Sequence, residues 1–181
     1  FNLQGGMAEG IIKWLAVPAN LGLLVYKPWT LVTYMFLHED FFHILFNMLW
    51  LYWFGRIFLE YLDGRKLLST YILGGLAGAI LYILAFNLFP VFSAIQPISF
   101  ALGASASVLA IVIAISTFVP NYTIYLMFLG PVRIKYIALF SVLLDLLSIQ
   151  SSNPGGHIAH LGGALFGYFY IKRLQKGKDL S

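Results

Sequence analysis

The chain has 181 residues, 60% of them hydrophobic and only 10% charged, with a mean hydropathy of +0.85. A soluble domain carries about 25% charged residues, so most of this chain faces something other than water. The net charge of +4 comes from lysines and arginines at the ends of apolar runs, which reads as membrane topology and excludes a nucleic-acid surface; the absence of cysteine excludes disulfides, thiolate metal sites and a cysteine nucleophile.

In chain order, Phe1–Gly6 reads as a chain entered midway, without the pattern of a cleavable signal peptide. Residues 1–37 are apolar but broken by Pro18, Asn20, Gly22 and Pro28. They predict a partly membrane-immersed, irregular segment with one short amphipathic helix near Ile11–Ala16. A helix needs about 20 apolar residues to cross a bilayer. Five such runs follow, at about Phe41–Glu60, Leu67–Phe89, Pro97–Val119, Val132–Ile149 and Gly156–Ile171. Short breaks rich in Gly, Pro, Asn and charge separate them, as expected at helix ends. The predicted fold is therefore an all-α, polytopic transmembrane bundle with five spans in this chain. Residues 38–175 form its core and 176–181 a tail.

The basic residues orient the bundle. Arg56 lies in the last turns of the first span and Arg65 and Lys66 follow it, Arg133 and Lys135 enter the fourth, and Lys172, Arg173, Lys176 and Lys178 close the chain. If these nine of the eleven are cytoplasmic, only Lys13 and Lys27 lie outside, and the loops 89–96 and 151–156 carry no charge. The positive-inside rule then starts the first, third and fifth spans on the outer side and leaves the C-terminus in the cytoplasm.

Polar groups inside a membrane are costly and face a cavity or a partner. Here they gather at one level: His43 and Asn47 in the first span, Ser105 and Ser107 in the third, His157 and His160 in the fifth. With the orientation above, all lie about 5–12 Å below the outer helix ends. A serine hydroxyl needs a base to become a nucleophile, and histidine titrates in the right range. Acyl transfer also needs donors aimed at the developing oxyanion; His43 and Asn47, four apart, share a helix face and both can donate. Ser105 is the candidate nucleophile and His160 the candidate base. Ser107 faces away by about 200° and reads as packing. His157 could also serve as base, but it lies nearer the helix end and is assigned a loop or supporting role. Gly103, Gly163 and Gly167 read as small residues that let helices approach closely around the site. His38 reads as a loop histidine with a structural hydrogen bond. Asp145, in the fourth span, reads as a water-facing or snorkelling group rather than a triad acid.

A metal site is the weaker reading. His38 and His43 are five apart and diverge by about 140° on a helix, unlike the pair of a zinc protease. A cluster of His43, His157 and His160 lacks a carboxylate beside it, so neither metal nor cofactor is expected.

Three motifs resemble the rhomboid family, in its order and on the expected spans. His43-Ile44-Leu45-Phe46-Asn47 is similar to its H-x-x-x-N, Gly103-Ala104-Ser105-Ala106 to its G-x-S-G, and Ala159-His160-Leu161-Gly162-Gly163, continuing to Gly167, to its A-H-x-x-G-x-x-x-G. The chain departs from the family pattern at Ala106, where the family has glycine, and at Trp29-Thr30, where it has Trp-Arg. The resemblance extends from about Trp29 to Arg173. It implies a six-helix core, with the family's first span upstream of Phe1 and residues 1–37 as the lipid-embedded first loop. It also implies an intramembrane serine endopeptidase with a Ser105–His160 dyad, no acidic third member, and an oxyanion hole of His43, Asn47 and the Ser105 amide. The substrates implied are peptide bonds in or beside transmembrane segments of other proteins in a lipid bilayer. A rhomboid-like scaffold that binds such clients without cleaving them is the alternative.

Overall fold

In the computed structural model, described over residues 7–127, 130–150 and 153–180, the chain is mostly helical. Three short helices come first: α1 (Met7–Leu15), α2 (Leu21–Tyr26) and α3 (Thr30–Thr33). Five longer ones follow: α4 (Phe41–Tyr61), α5 (Gly64–Leu88), α6 (Ser105–Phe118), α7 (Ile134–Ser148) and α8 (Pro154–Leu174). Two antiparallel ladders accompany them. Strand β1 (Val17–Pro18) pairs with β2 (Phe100–Ala101), and β3 (Thr123–Leu126) pairs with β4 (Gly130–Arg133). The helical expectation holds for most of the chain, with these two short ladders added to it; the first segment, expected to be irregular with one short helix, contains three. Phe1–Gly6 and Ser151–Ser152 lie outside the described residues.

Helix starts follow capping chemistry. Asp40 accepts from the His43 amide at 2.9 Å and Asp63 from that of Lys66 at 2.9 Å, each satisfying a first-turn donor. The Lys66 ammonium bonded to it holds the Asp63 carboxyl below the usual carboxylate range. Asn153 caps α8 through the Gly156 amide at 3.0 Å, with Pro154 at the first helical position.

Helix α6 is the hub. Residues Ala106–Ser116 are all buried, as expected for a helix that is apolar all round. It is packed by α4, α5, α7 and α8. The outer faces are apolar too: Phe46 is 58%, Leu84 49% and Leu147 80% exposed. Such a surface would be an aggregation hazard in water and is the natural one in lipid. Helices α4 and α5 are long and apolar enough to cross a membrane; α6 is apolar but has 14 residues.

The third predicted span, Pro97–Val119, begins later than expected. Residues 96–98 form a 3-10 turn, and Gly103 has φ of 129°, which no helix tolerates. Ser105 is therefore the first residue of α6 rather than a residue two turns inside it.

The first segment holds the site from one side. The Tyr34 hydroxyl donates to the Gly75 carbonyl at 2.6 Å, and the Tyr34 carbonyl accepts from the Gly103 amide at 2.9 Å. Thr33 bonds the Leu15 carbonyl, and the Trp29 indole bonds that of Trp14 at 3.0 Å. Thr30, standing where the family has arginine, is buried and donates to Lys27 at 2.6 Å. Tyr34→Phe removes one buried bond and is expected to lower stability by about 1 kcal/mol, measured as a fall in the unfolding midpoint in detergent.

Candidate active site

Four helices each bring polar groups to one pocket of about 510 Å³. Its polar lining is His43 and Asn47 from α4, Ser105 from α6, Ser141, Asp145 and Ser148 from α7, and His157 and His160 from α8. Sequence reasoning brought all of these together except the α7 groups.

The Ser105 hydroxyl lies 2.6 Å from His160 Nε2. That contact depends on the close approach of α6 and α8. A Cβ placed on Gly163 would run into the Ala106 carbonyl, and one on Gly167 into the Ala110 carbonyl. One residue before Gly163, Gly162 faces α5 instead, where a Cβ would meet the Ala77 carbonyl oxygen at 2.6 Å. Gly163 and Gly167 therefore sit where close packing was predicted. Gly103 differs: it is not inside a helix interface but in the turn before α6. A Cβ there would lie 3.0 Å from His43 Cε1 and Nε2. It gives the turn its left-handed geometry and leaves room for the His43 ring. Ala106 is helical and almost fully buried, with no positive φ, so a methyl group fits where the family has glycine.

His43 Nδ1 accepts the Glu39 amide at 3.4 Å, which leaves Nε2 as the protonated nitrogen, beside Gly103. Asn47 is buried and spends one of its two amide protons on the His43 carbonyl at 2.9 Å. His38 sets its ring edge-on to His43, with centroids 5.1 Å apart. Burial, and then the neighbouring His43, hold the His38 imidazole below the ordinary histidine value against a hydrogen bond to the Phe36 backbone. Ser107 is fully buried and packs where Gly75 lacks a side chain, consistent with its packing role.

Asp145 is the correction. It is 7% exposed, not a water-facing or snorkelling group. Its Oδ1 lies 2.8 Å from Nδ1 of both His157 and His160. The three residues offer ligand atoms all within 4.8 Å of one another, so they could hold a metal ion. The histidine cluster set aside for want of a carboxylate thus has one, with His43 outside the group. Sequence reasoning missed this because Asp145 sits on a separate helix in no motif. The only available signal was a carboxylate inside an apolar run, which is costly without a partner.

Comparison with known proteins settles the lineage. The family described as the Rhomboid domain matches residues 26–176, which contain every residue of the pocket. The chain belongs to the rhomboid family. This rhomboid is 32% identical over 158 residues to RHOMBOID-like protein 12, mitochondrial, of Arabidopsis thaliana. The alignment covers 82% of this chain and 47% of that protein, so the chain spans about half the length of the curated relative it matches.

Proposed function

We propose that this rhomboid is an intramembrane serine endopeptidase that hydrolyses peptide bonds in or beside transmembrane segments of membrane proteins. The observation that carries the reading is the 2.6 Å contact between Ser105 Oγ and His160 Nε2, two residues that line one pocket. In the first step Ser105 Oγ bonds to the scissile carbonyl carbon while its proton passes to His160 Nε2. The oxyanion is held by the Nε2–H of His43, an amide proton of Asn47 and the Ser105 backbone N–H. His160 then gives its proton to the leaving amine as the C–N bond breaks. Water next attacks the acyl-enzyme, passing a proton to His160, and Ser105 recovers that proton as the new carboxylic acid leaves. An intact substrate helix hides its carbonyls, so helix-breaking or small residues are expected near the cut.

The chain is proposed to be polytopic, with α4 to α8 as five spans. The apolar outer faces and the distribution of basic residues support this. Residues 38–175 form the catalytic core, 1–37 the immersed first loop and 176–181 the cytoplasmic tail. The pocket opens to the non-cytoplasmic side of the cell membrane. The relative's name places that protein in the mitochondrion, and a mitochondrial membrane is the competing location, resolved by imaging a tagged chain.

The test is reconstitution into proteoliposomes with a panel of single-span substrates. Wild type is expected to release two fragments and Ser105→Ala none; equal cleavage by both removes Ser105 as nucleophile. Asn47→Ala is expected to lower kcat by about 10²-fold with little change in KM, because its donor is strongest in the transition state. A KM effect alone would assign Asn47 to substrate binding.

A further inference from the structure

We infer that Asp145 is a positioning residue that makes the Ser105–His160 pair a triad, where the family resemblance implies a dyad with no acid. The inference rests on the protease reading above. Three helices supply the line of atoms: Ser105 Oγ on α6, 2.6 Å from His160 Nε2 on α8, whose Nδ1 is 2.8 Å from Asp145 Oδ1 on α7. A carboxylate can only accept, so the His160 Nδ1 must carry the proton. That leaves the Nε2 lone pair facing the serine, the tautomer a general base requires. When Nε2 takes the serine proton, the imidazolium forms against a buried negative charge. Asp145 keeps its charge throughout and receives no proton.

The surroundings support this assignment. A buried carboxylate needs strong donors to remain in place. Asp145 has two, because His157 Nδ1 approaches the same Oδ1 at 2.8 Å. His157 thereby fixes the acid, while only His160 reaches the serine. Other groups facing His160 are few. His43 on α4 lines the same pocket, and α6 presents Ser105 with no charged residue along its length. From α5, Tyr82 lies beneath Gly155 at the start of α8, and β2 is apolar. Asp145 is the one carboxylate lining the pocket.

The experiment compares wild type, Asp145→Asn and Asp145→Glu in one proteoliposome cleavage assay from pH 5 to 9, with folding checked by thermal unfolding. Asp145→Asn is expected to lower kcat by about 10²- to 10⁴-fold. It should also move the acid limb of the profile to lower pH, because the amide no longer favours the imidazolium. Asp145→Glu is expected to recover part of the rate and return the limb. Loss of amplitude with an unmoved limb would make Asp145 merely structural and overturn the triad. An inactive wild type would instead overturn the protease reading and the triad with it. If Asp145→Asn does not fold, proton NMR of Ser105→Ala decides: a far-downfield Nδ1–H signal from His160 upholds the triad and its absence overturns it.

Discussion

Replacing His160 with alanine is expected to lower turnover by about 10⁴-fold or more while the protein remains folded. General-base assistance is worth about 10²–10⁴-fold by itself, and where residues act as a unit the loss of one member forfeits most of what the whole unit supplies. Among the described residues, His160 is the imidazole hydrogen-bonded to Ser105, and the serine is otherwise a weak nucleophile. His157, although three residues away on the same helix, bonds Asp145 and not the serine. A double substitution of Ser105 and His160 is therefore expected to be no worse than either single one. Residual cleavage by His160→Ala within tenfold of wild type would show that another group takes the serine proton.

The second large effect concerns packing. Gly163 lies one turn beyond His160, and a side chain there would collide with the Ala106 backbone, one residue after Ser105. Backbone cannot yield as a flexible side chain can, so α6 and α8 must separate. Gly163→Val is expected to cost about 3 kcal/mol or more and to remove activity even in the fraction that folds, because the serine and histidine move apart. Gly55 on α4 is the control: nothing lies within 4 Å of its missing Cβ. Gly55→Ala is expected to be stabilising by about 0.5–1 kcal/mol with cleavage unchanged. Unfolding midpoints and cleavage rates of the two variants side by side check the account. Similar behaviour would mean that close approach of α6 and α8 is not what sets the site.

The parts of the site legible in the sequence were those carried by local spacing. His43 and Asn47 share a helix face at four residues, Ser105 sits among small residues, and His160 precedes the small pair Gly163 and Gly167. Each pattern lies on one helix, so one segment suffices to read it. Asp145 was misread because its meaning is tertiary. Its partners lie 12 and 15 residues further on, across an inter-helix turn, and apolar neighbours on α7 give no sign of which face is buried. The ends of α4, α5, α7 and α8 were read to within a few residues from Asp, Gly, Pro and Asn signals. The start of α6 was not, since the apolar run from Pro97 continues through a turn that only Gly103 marks. The short ladders escaped because β1 and β2 have two residues each, too few for any alternation to register.

The central claim is that Ser105 is an activated nucleophile. It is tested most directly by labelling the detergent-solubilised protein with a fluorophosphonate probe, in wild type, Ser105→Ala and His160→Ala, each shown to be folded. The account predicts labelling of wild type alone, with the adduct on Ser105. Folded wild type that takes no label, or label that persists in Ser105→Ala, would contradict it; the first result would favour a scaffold that binds transmembrane clients without cleaving them.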